Sequence, residues 1–155
     1  MKRFLTIIAL TATVLRAAAD KPEPTRTLKD IQTAAAKGEA QAQFPPAVHY
    51  IRGLGGVKKD LPAAAKLYLA AARQGNVDAQ LNYGVMCARG QGVPQNLPLA
   101  WAWMRASALQ GKPNASANLK LFEKNFTAAE KKAAQAAWEK LAAELKKAKT
   151  GGQNP

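Results

Sequence analysis

Cysteine and histidine occur once each in this chain, at Cys87 and His49, and acidic residues number fewer than half the basic ones. A single cysteine cannot cross-link its own chain, so stability has to come from packing. Set in an apolar helical pattern, Cys87 reads as a small buried hydrophobe. Between Ala40 and Leu119 the only acids are Asp60 and Asp78, both better placed as helix N-terminal caps than as an acid/base pair. No convergent set of nucleophile, base and electrophile is available. No enzymatic activity, cofactor or metal site is therefore expected, and a cell-wall hydrolase lacks its catalytic groups. His49, Met86 and Cys87 do not have the spacing of a copper motif. Gly53-Leu54-Gly55-Gly56 and Gly90-Gln91-Gly92 lack the preceding strand of a phosphate loop and read as turns between helices.

Long hydrophobic runs are also lacking. The one apolar stretch, Phe4 to Leu15, is shorter than the roughly 20 residues that span a bilayer. It follows Lys2-Arg3 and precedes Ala17-Ala18-Ala19, the pattern of a secretory signal peptide over residues 1–19 with cleavage before Asp20. No cysteine follows the run, so a lipid anchor is not indicated. An exported, periplasmic or secreted chain is expected, with no stable membrane insertion after cleavage. Pro22 and Pro24 mark residues 20–26 as an extended linker.

What the chain has in excess is positive charge. Without Lys2, Arg3 and Arg16 the 23 basic residues fall to 20, against 10 acidic ones. Arg52, Lys58, Lys59, Lys66, Arg73, Arg89, Arg105 and Lys112 all lie between Ala40 and Leu119. Such a surface steers acidic partners. With no nucleic-acid motif and no interleaving of basic and aromatic residues, a protein partner is expected and nucleic acid is not.

The chain also repeats itself. Ala42-Gln43-Phe44 recurs as Ala79-Gln80-Leu81, and the segment from Ala47 to Gly53 recurs as Gly84 to Gly90. Beyond an extra glycine, Gly56, the offset drops by one. Asp60-Leu61-Pro62 then matches Asn96-Leu97-Pro98, and Gln74-Gly75 matches Gln110-Gly111. Each unit reads as a helix, a glycine turn, a second helix capped by Asp60 or Asn96, and a stop at Gly75 or Gly111. Proline in the first turn of the second helix is tolerated there. Pro45-Pro46, by contrast, predicts that the first helix of the first unit starts late or is kinked. Leu28 to Lys37, stopped by Gly38, reads as the second helix of a partial leading unit. Ala115 to Lys124 reads as a degenerate first helix. Thr127-Ala128-Ala129-Glu130 is a capping box opening a long final helix, whose apolar stripe is Ala134, Trp138, Leu141, Leu145 and Ala148. The expected fold is all-α, a superhelical α/α solenoid with units at about 40–75 and 77–111 and a C-terminal cap over 115–149. The repeat domain as a whole runs over 27–149, and a disordered tail over 150–155. Trp103 is placed in the core and Trp101, two residues away, is expected to be partly exposed.

Tyr83-Gly84, Cys87, Gly90, Gly92-Val93, Asn96, Ala100 to Trp103 and Ala106 to Gly111 together resemble the bacterial Sel-like repeat (SLR), a relative of the tetratricopeptide repeat. The first unit follows with Tyr50, Gly53, Gly55, Val57, Asp60 and Gln74-Gly75. The resemblance implies a superhelix binding protein partners on a concave face lined by the first helix of each unit. Exported relatives include envelope regulators, host-interaction factors and periplasmic immunity proteins. An envelope scaffold or adaptor, expected to be monomeric, is the leading reading, and an immunity protein that neutralises a secreted effector is the alternative. On that face the i, i+3, i+4, i+7 stripe of the second unit is Asn82, Val85, Met86 and Arg89, and that of the first is Pro45, Val48, His49 and Arg52. His49, Arg52, Asn82, Val85, Met86 and Arg89 are the partner-binding candidates. The export reading predicts an envelope-fraction protein whose intact mass corresponds to a chain starting at Asp20. Full-length protein recovered from the cytosol would contradict it.

Overall fold

The computed structural model describes residues 44–54 and 56–151. The expected signal peptide, linker and leading helix Leu28 to Lys37, and most of the expected tail, lie outside the described residues. The described residues form six helices and no strand: α1 (Phe44–Arg52), α2 (Leu61–Arg73), α3 (Val77–Arg89), α4 (Leu97–Leu109), α5 (Pro113–Asn125) and α6 (Ala128–Gly151). This is the all-α repeat expected from the doubled unit. As described, α1 runs from Phe44, with Pro45-Pro46 in its first turn.

Local chemistry defines the helix ends. The Asp60 carboxylate accepts from Ala63 N–H at 2.9 Å and the Asn96 amide oxygen from Leu99 N–H at 2.9 Å. Each relieves one of the donors that a helix start leaves unpaired. At the far end of α2, Gly75 takes φ +90°. Gly75 N–H donates to Ala72 O and Asn76 N–H to Ala71 O, both at 3.1 Å, the paired bonds of a Schellman stop. Gly111 closes α4 the same way, with Gly111 N–H donating to Ala108 O at 2.9 Å and Lys112 N–H to Ser107 O at 3.3 Å. The repetition extends to the loops, where Asp60 N–H bonds Tyr50 O at 2.8 Å and Asn96 N–H bonds Cys87 O at 2.9 Å. One expected cap is corrected. α3 is capped by Asn76, whose side chain accepts from Ala79 N–H at 2.8 Å. Asp78 sits in the first turn and pairs with Lys112. There its negative charge still favours the helix dipole.

Packing follows the chain, with α1 on α2, α2 on α3, α3 on α4, and α4 on α5. Short connectors make each successive pair antiparallel. α3 meets α4 where Gly84 lets the backbones approach. A Cβ there would lie 2.9 Å from Met104 Cγ and 3.0 Å from the Ala100 carbonyl oxygen. In α1 the equivalent residue is the fully buried Ala47. In α5, 36 residues beyond Gly84, it is Lys120, which is exposed. A lysine cannot admit a partner helix at that distance. Accordingly α6 does not lie along α5 but crosses back onto α4. Its capping box holds, with Thr127 N–H donating to Glu130 Oε2 at 2.7 Å and Glu130 N–H to Thr127 Oγ1 at 3.3 Å. Ala134 and Leu141 of the expected stripe are buried, Trp138 and Leu145 are half-buried, and Ala148 is exposed.

The turn after α3 also joins the two units. Gly92, at φ +72°, runs against the start of α2, and a Cβ there would overlap the Leu61 carbonyl group. Gly75, also left-handed, has nothing near its missing Cβ. Replacing Gly75 by Ala should therefore cost about 1–2 kcal/mol, for backbone strain alone. Gly92→Ala should cost about 3 kcal/mol or more, because the α2 backbone must also move. Urea unfolding of the two variants measures the difference, and equal losses would contradict the contact between units.

Candidate functional site

The six candidate residues separate by exposure. Asn82, Val85 and Met86 are at most 3% exposed, and every residue of α3 from Ala79 to Ala88 is buried. These three are therefore corrected from surface contacts to core positions. The i, i+3, i+4 rule identifies residues sharing one side of a helix, but not whether that side is covered. Arg52 and Arg89 stand at equivalent places, each the last residue of its helix. Arg52 is exposed. Arg89 is half-buried, and burial lowers its pKa. His49 is half-buried on α1, with its Nδ1 buried and without a hydrogen-bond partner.

The repeat segment that carries Arg52 is basic and poor in acids. Lys58, Lys59 and Lys66 are exposed. Of the two acids in this region, Asp60 is engaged in capping α2 and Asp78 in its pair with Lys112.

Beneath α3 lies a polar network that sequence reading did not find. Gln80, 1% exposed, donates from Nε2 to Ala72 O at 3.1 Å and accepts from Gln110 Nε2 at 2.7 Å. Ser107 Oγ–H donates to Val77 O at 2.9 Å. These bonds satisfy buried groups and tie the ends of α2 and α4 to the start of α3. The recurrence of Gln74 at Gln110 was the available signal. A groove of about 720 Å³ opens above this network between α2, α4 and α6. Its lining includes Arg73, Leu109, Trp138 and Lys146, and Leu109 is 67% exposed.

The expected position of Trp101 is also corrected. It is only 6% exposed, because the region around Ala134 of α6 returns to cover it. The Arg105 guanidinium carbon lies 5.0 Å from the Trp101 ring centroid and 5.3 Å from that of Trp138. Arg105 Nε and Trp101 Nε1 are buried without hydrogen-bond partners, as is Asn118 Nδ2 on α5.

Cys87 is free and buried, beside Tyr83. Burial pushes its thiol up to about 11, opposed by the Tyr83 hydrogen bond, and pushes the Tyr83 hydroxyl up to about 12. Met86 is equally buried. Among the described residues no three of His, Cys, Asp and Glu gather into a metal-sized group. Nor is any helix among them long and apolar enough to cross a membrane.

Repeated helix pairs of one design, closed by a helix of another, define an α/α solenoid. The Sel1 repeat family matches residues 41–76 and 77–112, so the chain carries two tandem Sel1 repeats. One similar solved structure is a protective antigen present in uropathogenic Escherichia coli strains and displaying an SLR fold. It is 30% identical with a TM-score of 0.70, over 82% of this chain and 28% of that one. Another is a Sel1 repeat protein from Oxalobacter formigenes, 42% identical with a TM-score of 0.58, over 60% of this chain and 27% of that one. This chain thus spans little more than a quarter of either structure. No curated protein matches. Sel1 repeat proteins generally mediate protein–protein interactions and typically act as non-catalytic scaffolds.

The raised pKa values of Cys87 and Tyr83 set an alkaline limit. Unfolded thiol and phenol ionise near 8.5 and 10, below the native values of about 11 and 12. The unfolded state therefore loses protons first. Stability is complete below about pH 8 and falls as the pH climbs toward 11. Denaturation midpoints across pH 7–11 should show this decline, and Cys87→Ala should flatten its first part. A wild-type midpoint that does not change with pH would contradict the buried assignment.

Proposed function

We propose that the chain is an exported scaffold of the bacterial envelope that binds an acidic protein partner, without turnover, at the basic edge where the first helices end. The observation that carries this reading is the lack of free negative charge between Ala40 and Leu119. Arg52, Lys58, Lys59 and Lys66 are exposed there, while Asp60 and Asp78 are engaged within the fold. Such an edge speeds encounter with an acidic surface and discriminates against basic ones. Among the six candidates Arg52 is the exposed one. Its planar guanidinium suits bidentate pairing with carboxylates. His49 and Arg89, both half-buried on the first helices, would shape the rim of the contact.

Affinity capture from an envelope extract, followed by titration of the recovered partner, tests the reading. Arg52→Glu combined with Lys58→Glu should leave the melting temperature nearly unchanged, since exposed charges contribute little to stability. Affinity should fall at least tenfold, about 1.4 kcal/mol, and wild-type binding should weaken as salt rises. A doubly reversed protein that binds as wild type would remove the basic edge from the contact.

A further inference from the structure

A cavity of about 340 Å³ lies between α4, α5 and α6, lined by Trp101, Arg105, Glu123, Phe126, Lys131, Ala134 and Gln135. Two of its lining side chains carry buried donors without acceptors, Arg105 Nε–H and Trp101 Nε1–H. Leaving a buried donor unpaired is costly, and two on neighbouring turns of one helix, around one cavity, call for a common acceptor. The indoles of Trp101 and Trp138 both pack on the Arg105 guanidinium. With its plane engaged by these rings, the guanidinium can meet an anion along its edge. That edge, including Nε–H, is the fork that a planar carboxylate fits with two parallel hydrogen bonds.

Nothing within the cavity already supplies the acceptor. Glu123 is exposed and forms no ion pair among the described residues. Gln135 donates to Glu139 at 3.0 Å. Lys131 adds positive charge at the rim. The volume admits an acidic side chain and is too small for a folded element.

We propose that this cavity is a carboxylate-binding site that takes an acidic side chain of the partner, with Arg105 Nε–H and Trp101 Nε1–H as donors. The choice of a partner's side chain rests on the scaffold reading above, whereas the carboxylate chemistry does not.

The tryptophans report on their own site. The probes are acetyl-Gly-Glu-Gly-amide, its Gln counterpart and free glutarate, followed by tryptophan emission. The Glu peptide should shift the emission saturably, the Gln peptide should not, and glutarate should bind no tighter than the Glu peptide. Arg105→Lys keeps the charge but loses the fork and should weaken Glu-peptide binding at least tenfold. Gln135→Glu builds a carboxylate into the cavity and should abolish Glu-peptide binding without lowering the melting temperature, so it decides the matter if the Arg105 variant fails to fold. Equal response to the Glu and Gln peptides, or unchanged binding in Gln135→Glu, overturns the site. Tighter binding of glutarate overturns the partner side chain in favour of a free small acid. Capture of the partner by Arg105→Lys at the wild-type level also overturns that assignment while leaving the scaffold reading intact. If wild type captures no partner, the scaffold reading fails, and the peptide titration still decides the carboxylate site.

Discussion

α4 has no polar side. From Ala100 to Met104 five consecutive residues are buried, so this helix has to be covered all round. α3 covers one side through the Gly84 approach and α5 another. The remainder falls to α6, which crosses α4 and reaches the end of α2. Burying two tryptophans and a methionine on one helix is a large apolar contribution. Without α6 that surface would face water. The final helix is therefore part of the core, although its own sequence is mostly alanine, lysine and glutamate.

The same crossing shapes the surface. As α6 leaves α5 and passes over α4, it encloses the Arg105 cavity on one side and the groove with exposed Leu109 on the other. A helix stacked regularly on α5 would have left neither. Both concavities thus belong to the cap rather than to the repeated units. The basic edge at Arg52, Lys58 and Lys59 belongs to the repeats, where the extra glycine, Gly56, takes φ +82° in open space beside the lysines.

Features that depend on a few neighbouring residues were legible in the sequence. The caps at Asp60 and Asn96, the stops at Gly75 and Gly111, and the Thr127–Glu130 box each close within about six residues. The cap of α3 was ambiguous because Asn76 and Asp78 are both competent oxygens two positions apart. Features that depend on distant chain were not legible. Trp101 is buried by a helix more than 30 residues downstream. Asn82, Val85 and Met86 share a side of α3, as their spacing implies, but the packing around α3 leaves that side closed. The Gln80–Gln110 bond spans 30 residues, and periodicity shows only that a glutamine recurs, not what it meets.

Lys120 also bears on how such a protein can change length over evolution. A unit added after α5 would meet a lysine where close contact needs a glycine or alanine. The junctions before residue 77 and after residue 112 are different, since both follow the same Schellman stop and both feed a helix of the first kind. Tandem duplication of 77–112 would therefore insert a unit between compatible faces and carry the α5–α6 closure outward intact. In this solenoid, growth is permitted from within and blocked at the C-terminal end.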